Sequence, residues 1–180
     1  MDDTARPRTA LLVIDTQVGF RHMWADAQGT VDRIARLVHR SRAARTPVIW
    51  VQDDATLPRF SVEWQMPAEL VPAPGETRIF KRHWDAFTEP GLRAALNGIS
   101  RVAIAGAHRD YCIRTTGLRA ITEGFDVVIV GDAHTTGDAQ IGGEVVSGAA
   151  IIGHTNLYFA GITYPGRTVT VADHDAVELL

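Results

Sequence analysis

The sequence has a single cysteine, no long apolar run and no marked excess of charge of either sign. A lone cysteine cannot form an intramolecular disulfide, which fits a reducing compartment. No apolar run approaches the roughly 20 residues that a membrane-spanning helix needs. Residues 1–7 are polar and do not have the form of a signal peptide. We therefore expect a cytoplasmic protein that does not bind a membrane.

Charge is nearly balanced, with 18 lysine and arginine residues against 21 aspartate and glutamate residues. This composition does not predict the basic surface that nucleic-acid binding requires. The arginine-rich stretch 33–45 alternates with apolar residues at helical spacing, which is typical of a solvated helix face. The sequence also lacks the phosphate-loop, dinucleotide-binding and serine-nucleophile motifs. We expect a small-molecule substrate, no nucleic-acid partner and no cofactor.

Short apolar blocks rich in β-branched residues alternate with segments of helical periodicity. This alternation predicts a parallel sheet that helices cover on both faces. The sequence therefore predicts a single α/β domain over residues 1–180, a doubly wound three-layer α/β/α sandwich with a mostly parallel six-stranded sheet. The predicted strands cover 10–14, 48–51, 77–80, 101–105, 126–130 and 168–171.

Four segments carry the apolar period of a helix. The first takes Thr30 as its N-cap, and Pro47 lies beyond its end. The others are predicted within 89–98, 112–123 and 142–160. Residues 53–76 form a long, proline-containing excursion, which is typical of a lid or a binding loop. It is equally compatible with a subunit contact.

Polar residues stand at the carboxyl ends of three predicted strands, where open parallel sheets bind ligands. Asp15 closes the first strand, Lys81 follows the third, and Cys112 begins the helix after the fourth. A free cysteine is often an ordinary buried residue of the core with no chemical role. Asp15 is also compatible with a turn residue just past the strand end, and Lys81 with a surface lysine. A thiol at a helix N-terminus, however, meets unsatisfied N–H groups and the positive end of the dipole, and both lower its pKa. We predict that Cys112 is a nucleophile.

Three blocks of the sequence share their pattern with a known enzyme family. They are D-T-Q-V-G-F at 15–20, F-K-R-H-W-D-A-F at 80–87 and G-A-H-R-D-Y-C-I at 106–113. Together they resemble the isochorismatase-like cysteine hydrolase family, which includes nicotinamidases and carbamoylsarcosine amidohydrolases. Similar blocks follow at 124–127 and 131–133, so the resemblance spans essentially the whole chain.

The resemblance implies a catalytic triad of Asp15, Lys81 and Cys112. Asp15 would take the thiol proton and deliver it to the leaving amine, while the Lys81 ammonium stabilises neighbouring negative charge. The resemblance also implies an oxyanion hole formed by the backbone N–H groups of His108 and Cys112. A cis peptide between Ala107 and His108 belongs to that arrangement.

The sequence also departs from the family pattern. Nicotinamidases carry a metal-binding D-x-H after the second strand, but 53–57 contains no histidine. We therefore predict a branch of the family other than the nicotinamidases, and no metal. The Asp/His pairs within 132–134 and 173–174 are more typical of turns or of the surface. Family members often have Ala-Thr where this chain has His108-Arg109, so a more basic, bulkier rim favours an acidic or carbonyl-rich substrate.

Aromatic residues cluster next to the motif residues and suggest the wall of a small-molecule pocket. Some of them are equally compatible with ordinary core packing. Gln17 is predicted to orient Asp15 or Lys81 by hydrogen bonding. The predicted pocket residues are Gln17, Phe20, Trp24, Trp84, Phe87, His108 and Tyr111.

The leading functional hypothesis is hydrolysis of the C–N bond of a small amide, ureide or carbamoyl compound through a Cys112 thioester, with release of ammonia or an amine. Two alternatives stay open. One is isochorismatase-type vinyl-ether hydrolysis, which does not use a cysteine nucleophile. The other is a non-catalytic scaffold protein of the same fold. The resemblance also implies a homo-oligomer, a dimer or higher.

Overall fold

The structure is a computed structural model, and it describes residues 8–179 except for the Arg109 side chain. These residues form eight strands and four α-helices. The strands are β1 (Thr9–Ile14), β2 (Val48–Asp53), β3 (Thr77–Lys81), β4 (Arg101–Gly106), β5 (Asp126–His134), β6 (Ala139–Ile141), β7 (Glu144–Val146) and β8 (Val169–Ala172). Six of them form one sheet in the order β3-β2-β1-β4-β5-β8, and every pairing in it is parallel. The predicted α/β class and six-stranded sheet are therefore confirmed.

The helices cover both faces of this sheet, as in a three-layer sandwich. They are α1 (Ala27–Ala43), α2 (Pro90–Ala95), α3 (Arg114–Thr122) and α4 (Gly148–Ala160). Alternate residues of β1 enter separate apolar cores, because successive side chains of a strand point to opposite faces. One core contains residues of α2, α3 and α4, and the other contains residues of α1. None of the helices within residues 8–179 is both long and apolar enough to cross a membrane.

Two of the predicted helix boundaries are wrong. Helix α1 is capped by Asp26, whose carboxylate accepts a hydrogen bond from the Gly29 N–H at 3.1 Å, and Thr30 is buried inside the helix. The helix predicted within 142–160 begins only at Gly148, after the N-cap Ser147. The residues before it form the antiparallel hairpin of β6 and β7, because a Gly-Gly pair at positive φ closes a tight turn between the strands.

The excursion predicted over 53–76 is largely irregular and contains one short 3-10 turn, Ala68–Leu70. It is anchored to the body of the protein by apolar residues, since Trp64 and Leu70 are buried. Backbone hydrogen bonds also join it to the segment after β1, where Val18 and Gly19 donate to Gln65 and Glu63.

The carboxyl end of β4 passes very close to the end of β1 at Gly106. Its φ of 121° favours glycine, and a β-carbon there would lie 2.0 Å from the carbonyl oxygen of Ile14. The N–H of the next residue, Ala107, donates to that same oxygen at 2.8 Å. The first glycine of the G-x-x-x-D-x-C motif thus lets the segment that leads to Cys112 run directly beside Asp15.

We expect Gly106→Ala to lower the free energy of unfolding by roughly 3 kcal/mol, because a left-handed backbone and a steric overlap act together. Gly124→Ala is the matched control, since Gly124 also has a positive φ, of 96°, but its added β-carbon meets nothing within 4 Å. The control should lose about 1 kcal/mol. Denaturant unfolding of both variants measures the difference, and equal losses would rule out the close approach as the cause.

Candidate active site

Three charged or reactive side chains meet at the carboxyl edge of the sheet. The Lys81 Nζ lies 2.7 Å from Asp15 Oδ2 and 3.2 Å from the Cys112 Sγ. All three side chains are buried, and Lys81 is completely so. The structure therefore brings together the three residues that the sequence predicted as a triad, with the lysine as the common partner.

Asp15 occupies a backbone conformation that few residues adopt. Its φ of 49° is left-handed, a region in which aspartate is enriched among non-glycine residues. Burial raises the pKa of Asp15 above its usual 3.8, although the Lys81 ammonium opposes this effect. Its Oδ1 is buried and has no hydrogen-bond partner among the described residues, so this oxygen can accept a proton.

Lys81 provides the positive charge of the cluster. Burial by itself lowers the pKa of Lys81, but attraction to Asp15 and Cys112 outweighs that cost, so the pKa of Lys81 is raised. The side chain is therefore an ammonium at neutral pH. A buried carboxylate is stable only when it is paired, and Lys81 supplies the partner of Asp15.

Cys112 lies in a π-helical turn, Arg109–Ile113, that precedes α3. The sequence predicted a lowered thiol pKa at a helix start, and this prediction is wrong. Burial and the Asp15 carboxylate raise the pKa of the Cys112 thiol from its ordinary 9.0 to about 12, although Lys81 opposes them. The resting group is therefore a neutral thiol, and its proton has to leave during attack.

The peptide bond between Ala107 and His108 is cis, as the family resemblance implied. It precedes the turn that carries Cys112. The oxyanion-hole role of the His108 and Cys112 N–H groups stays a prediction. The His108 ring packs edge-on against Phe20, with 5.2 Å between the ring centroids, and burial lowers the pKa of His108, so the imidazole is neutral at pH 7.

A cavity of about 700 Å³ lies beside this turn. Three of the predicted pocket residues line it: Trp24, His108 and Tyr111. Trp84 is 59% exposed and packs against Tyr111, with 4.8 Å between ring centroids, so it stands next to a lining residue. Phe20 reaches the cavity only indirectly, through its contact with His108.

Two of the predicted pocket residues have other roles. Phe87 is buried in the core against Phe125, because its 3-10 turn points the ring inward, and it does not line the cavity. Gln17 is also buried and does not orient Asp15 or Lys81. Its side-chain amide instead donates to the Asp53 carbonyl at 2.9 Å and accepts from the Asp53 N–H at 2.8 Å, which ties the end of β2 to the segment after β1.

Several lining residues were not predicted from the sequence. Asp110 accepts a hydrogen bond from the Thr136 hydroxyl at 2.8 Å, and Asp138 accepts one from the Gly148 N–H at 2.8 Å. Asp110, Thr136, Asp138 and His22 line the cavity. For Thr136 and Asp138, the available signal was the polar run after β5, which also follows a strand end. The His108-Arg109 pair suggested an acidic or carbonyl-rich substrate, and two carboxylates in the lining do not suit an acidic one.

No group of three or more histidine, cysteine, aspartate or glutamate side chains that could hold a metal occurs within residues 8–179. At the position of the nicotinamidase D-x-H, the Asp53 carboxylate accepts hydrogen bonds from the N–H groups of Ala55 and Thr56 and so closes its own turn. In the predicted Asp/His pairs, Asp132 of the first pair contacts His174 of the second. The His174 Nδ1 lies 2.6 Å from Asp132 Oδ2.

Comparisons with known proteins give relatives of the chain and counterparts of its fold. The model of the isochorismatase domain matches residues 9–142. Streptothricin hydrolase of Streptomyces noursei is 32% identical over 143 residues, which cover 74% of this chain and 56% of that protein. The chain thus spans little more than half the length of this curated relative.

Solved structures share the fold over nearly the whole chain. A cysteine hydrolase from Pseudomonas syringae superposes with a TM-score of 0.82 at 20% identity, covering 93% of this chain and 89% of that one. N-carbamoylsarcosine amidase from Thermoplasma acidophilum gives a TM-score of 0.72 at 23% identity, covering 95% and 99%. At these identities the likeness establishes the fold.

Proposed function

Because this chain belongs to the isochorismatase family of hydrolases, we propose that it cleaves a C–N bond of a small amide-type molecule with Cys112 as the nucleophile. The observation that carries the proposal is the position of the Lys81 ammonium, within hydrogen-bond distance of both the Asp15 carboxylate and the Cys112 thiol. A cavity large enough for a small substrate is lined by His108, Asp110 and Tyr111, which directly precede Cys112 in the chain, although none of the three cluster residues lines it.

Two of the similar proteins support the choice of bond. One is named as an amidase and the other as the hydrolase of streptothricin. An amidase cleaves a carbonyl–nitrogen bond, and a thiolate is suited to attack on such a carbonyl carbon. We therefore propose amides, ureides and carbamoyl compounds as the substrate class.

The first half of the reaction forms a thioester. Asp15 takes the Cys112 proton while the sulfur attacks the substrate carbonyl carbon, so a C–S bond forms and an electron pair moves onto the carbonyl oxygen. The Lys81 ammonium stabilises the developing thiolate, and N–H groups of His108 and Cys112 would hold the oxyanion. When the oxyanion collapses, the C–N bond breaks and Asp15 returns the proton to the leaving nitrogen.

The second half releases the acid. Asp15, again a carboxylate, takes a proton from water while the water oxygen attacks the thioester carbon. Collapse of this second intermediate breaks the C–S bond, and the sulfur regains its proton from Asp15. In each tetrahedral intermediate Asp15 is protonated and the bonded sulfur is neutral, so the Lys81 charge is balanced by the substrate oxyanion. The cluster and its bound substrate together therefore hold no net charge at any step.

The test is ammonia or amine release from a panel of small amides, ureides and carbamoyl compounds, together with intact-protein mass spectrometry during turnover of a slow substrate. We expect release from at least one class and a mass increase equal to the acyl group. A vinyl ether belongs in the same panel. If only the vinyl ether is hydrolysed, the proposal fails in favour of isochorismatase-type chemistry, and if nothing is hydrolysed, the scaffold alternative gains.

We also expect an acidic limb in the pH profile of kcat/KM. Asp15 must be a carboxylate to accept the thiol proton, and burial raises its pKa above 3.8. Activity should therefore fall as the pH drops through a midpoint above 3.8, while the protein stays folded by circular dichroism. A midpoint at or below that value would argue against Asp15 as the base.

A further inference from the structure

Lys81 reaches Cys112 from a distant part of the sheet. It ends β3, which is an edge strand, whereas Cys112 follows β4, three positions along the sheet order. Edge strands have a partner on one side only, so their ends are held less firmly than those of central strands. The Asp54 N–H donates to the Lys81 carbonyl on the one paired side of the strand, and contacts between the chain after Lys81 and α3 add a second support for the 3.2 Å contact between Nζ and Sγ.

Thr116 makes that connection. It is completely buried in α3, four residues after Cys112, which lies in the π-helical turn that leads into this helix. Its hydroxyl accepts a hydrogen bond from the Ala86 N–H at 3.1 Å and donates one to the Trp84 carbonyl at 3.2 Å. Both partners belong to the segment that directly follows Lys81.

This use of a helical threonine is unusual within the chain. A threonine inside a helix commonly donates to the carbonyl four residues earlier. Thr155 of α4 does so, with its hydroxyl 3.2 Å from the Ile151 carbonyl. Thr116 instead directs both its donor and an acceptor position away from its own helix.

We propose that Thr116 is a positioning residue that holds the Lys81 ammonium against the Cys112 thiol by clamping residues 84–86 to α3. The hydroxyl does not touch the reacting groups. It fixes the distance between the strand end that carries the ammonium and the helix that follows the thiol. The effect of Thr116 on turnover rests on the proposed function. Its effect on the distance between Lys81 Nζ and Cys112 Sγ does not.

Three variants test the clamp. Thr116→Val keeps the side-chain shape but removes both hydrogen bonds, which leaves a buried N–H and a carbonyl without their partner. Thr116→Ser keeps the hydroxyl. Thr155→Val is the matched control, because it removes the hydroxyl of a buried helical threonine whose bond is local.

We expect Thr116→Val to lower kcat by at least about tenfold with KM changed less than about twofold, since the displaced Lys81 ammonium acts in the chemical step and not in substrate binding. Thr116→Ser should restore most of kcat, and Thr155→Val should leave it unchanged. A wild-type kcat in Thr116→Val, or no recovery in Thr116→Ser, would overturn the proposal.

Crystal structures of the two Thr116 variants separate this proposal from the proposed function. The distance between Lys81 Nζ and Cys112 Sγ should exceed hydrogen-bond length in Thr116→Val and stay near 3.2 Å in Thr116→Ser. This readout needs no substrate. If the wild-type protein hydrolyses none of the test amides, the proposed function fails, while an unchanged Nζ–Sγ distance in Thr116→Val would refute the clamp alone.

Discussion

Replacing Cys112 with alanine is expected to lower turnover by at least about a thousandfold, because the variant has no atom that can form the thioester. The thiol is 6% exposed, so the substitution removes one buried atom and leaves the surroundings in place. Asp15 and Lys81 stay paired in this variant. The substitution should therefore abolish the chemical step, while the midpoint of thermal unfolding stays nearly unchanged.

The measurement is the initial rate of amine release by the wild-type protein and the variant at equal concentration. Iodoacetamide gives an independent test, because the chain has a single cysteine and any stoichiometric label must be on Cys112. Labelled wild-type protein should be inactive. Activity in the alanine variant within about tenfold of wild type would exclude a covalent mechanism through Cys112.

Replacing Lys81 with methionine is expected to remove activity and to lower the free energy of unfolding by about 3 to 5 kcal/mol. The physical reason is that Asp15 then stays buried without its counter-ion, and a single buried charge is far more costly than a buried pair. Methionine has a similar length and preserves most of the packing. The measurements are urea unfolding and the rate of amine release.

The double variant Asp15→Asn/Lys81→Met separates the two effects. It removes both charges, so it should recover much of the lost stability while activity stays absent. Arg119→Met is the matched control, because it breaks an ion pair with Glu123 in which both side chains are partly exposed. This control should lose less than about 1 kcal/mol. If the double variant is as unstable as Lys81→Met, the unpaired charge is not the cause.

Most of the fold could be predicted because its strands are apolar on both faces and alternate with periodic helices. The helix predicted within 142–160 shows where this reasoning fails. Val145 lies at helical spacing from Ala149, but it belongs to the exposed β6–β7 hairpin, and its side chain is 62% exposed. Each strand of this hairpin is only three residues long. The two-residue alternation of such short strands cannot be distinguished from the helical periodicity of the residues that follow.

The candidate site could be predicted in part. Asp15, Lys81 and Cys112 stand in motif order at strand ends, and the strands are parallel, so their meeting follows from sequence and topology together. Asp110, Thr136 and Asp138 were missed because they reach the cavity through turns, and the direction of a turn is set by the contacts around it. Phe87 was assigned to the pocket because the sequence next to a motif does not distinguish an aromatic ring that packs in the core from one that lines a cavity.

The sequence by itself determined the class of fold, the family and the three residues at the strand ends, because these depend on composition, periodicity and motif spacing. Only the tertiary structure decided the protonation state of the thiol. Local sequence favoured a lowered pKa for Cys112, yet burial and the Asp15 carboxylate raise it to about 12. Desolvation and charge act through space, and residues distant in the chain supply most of both.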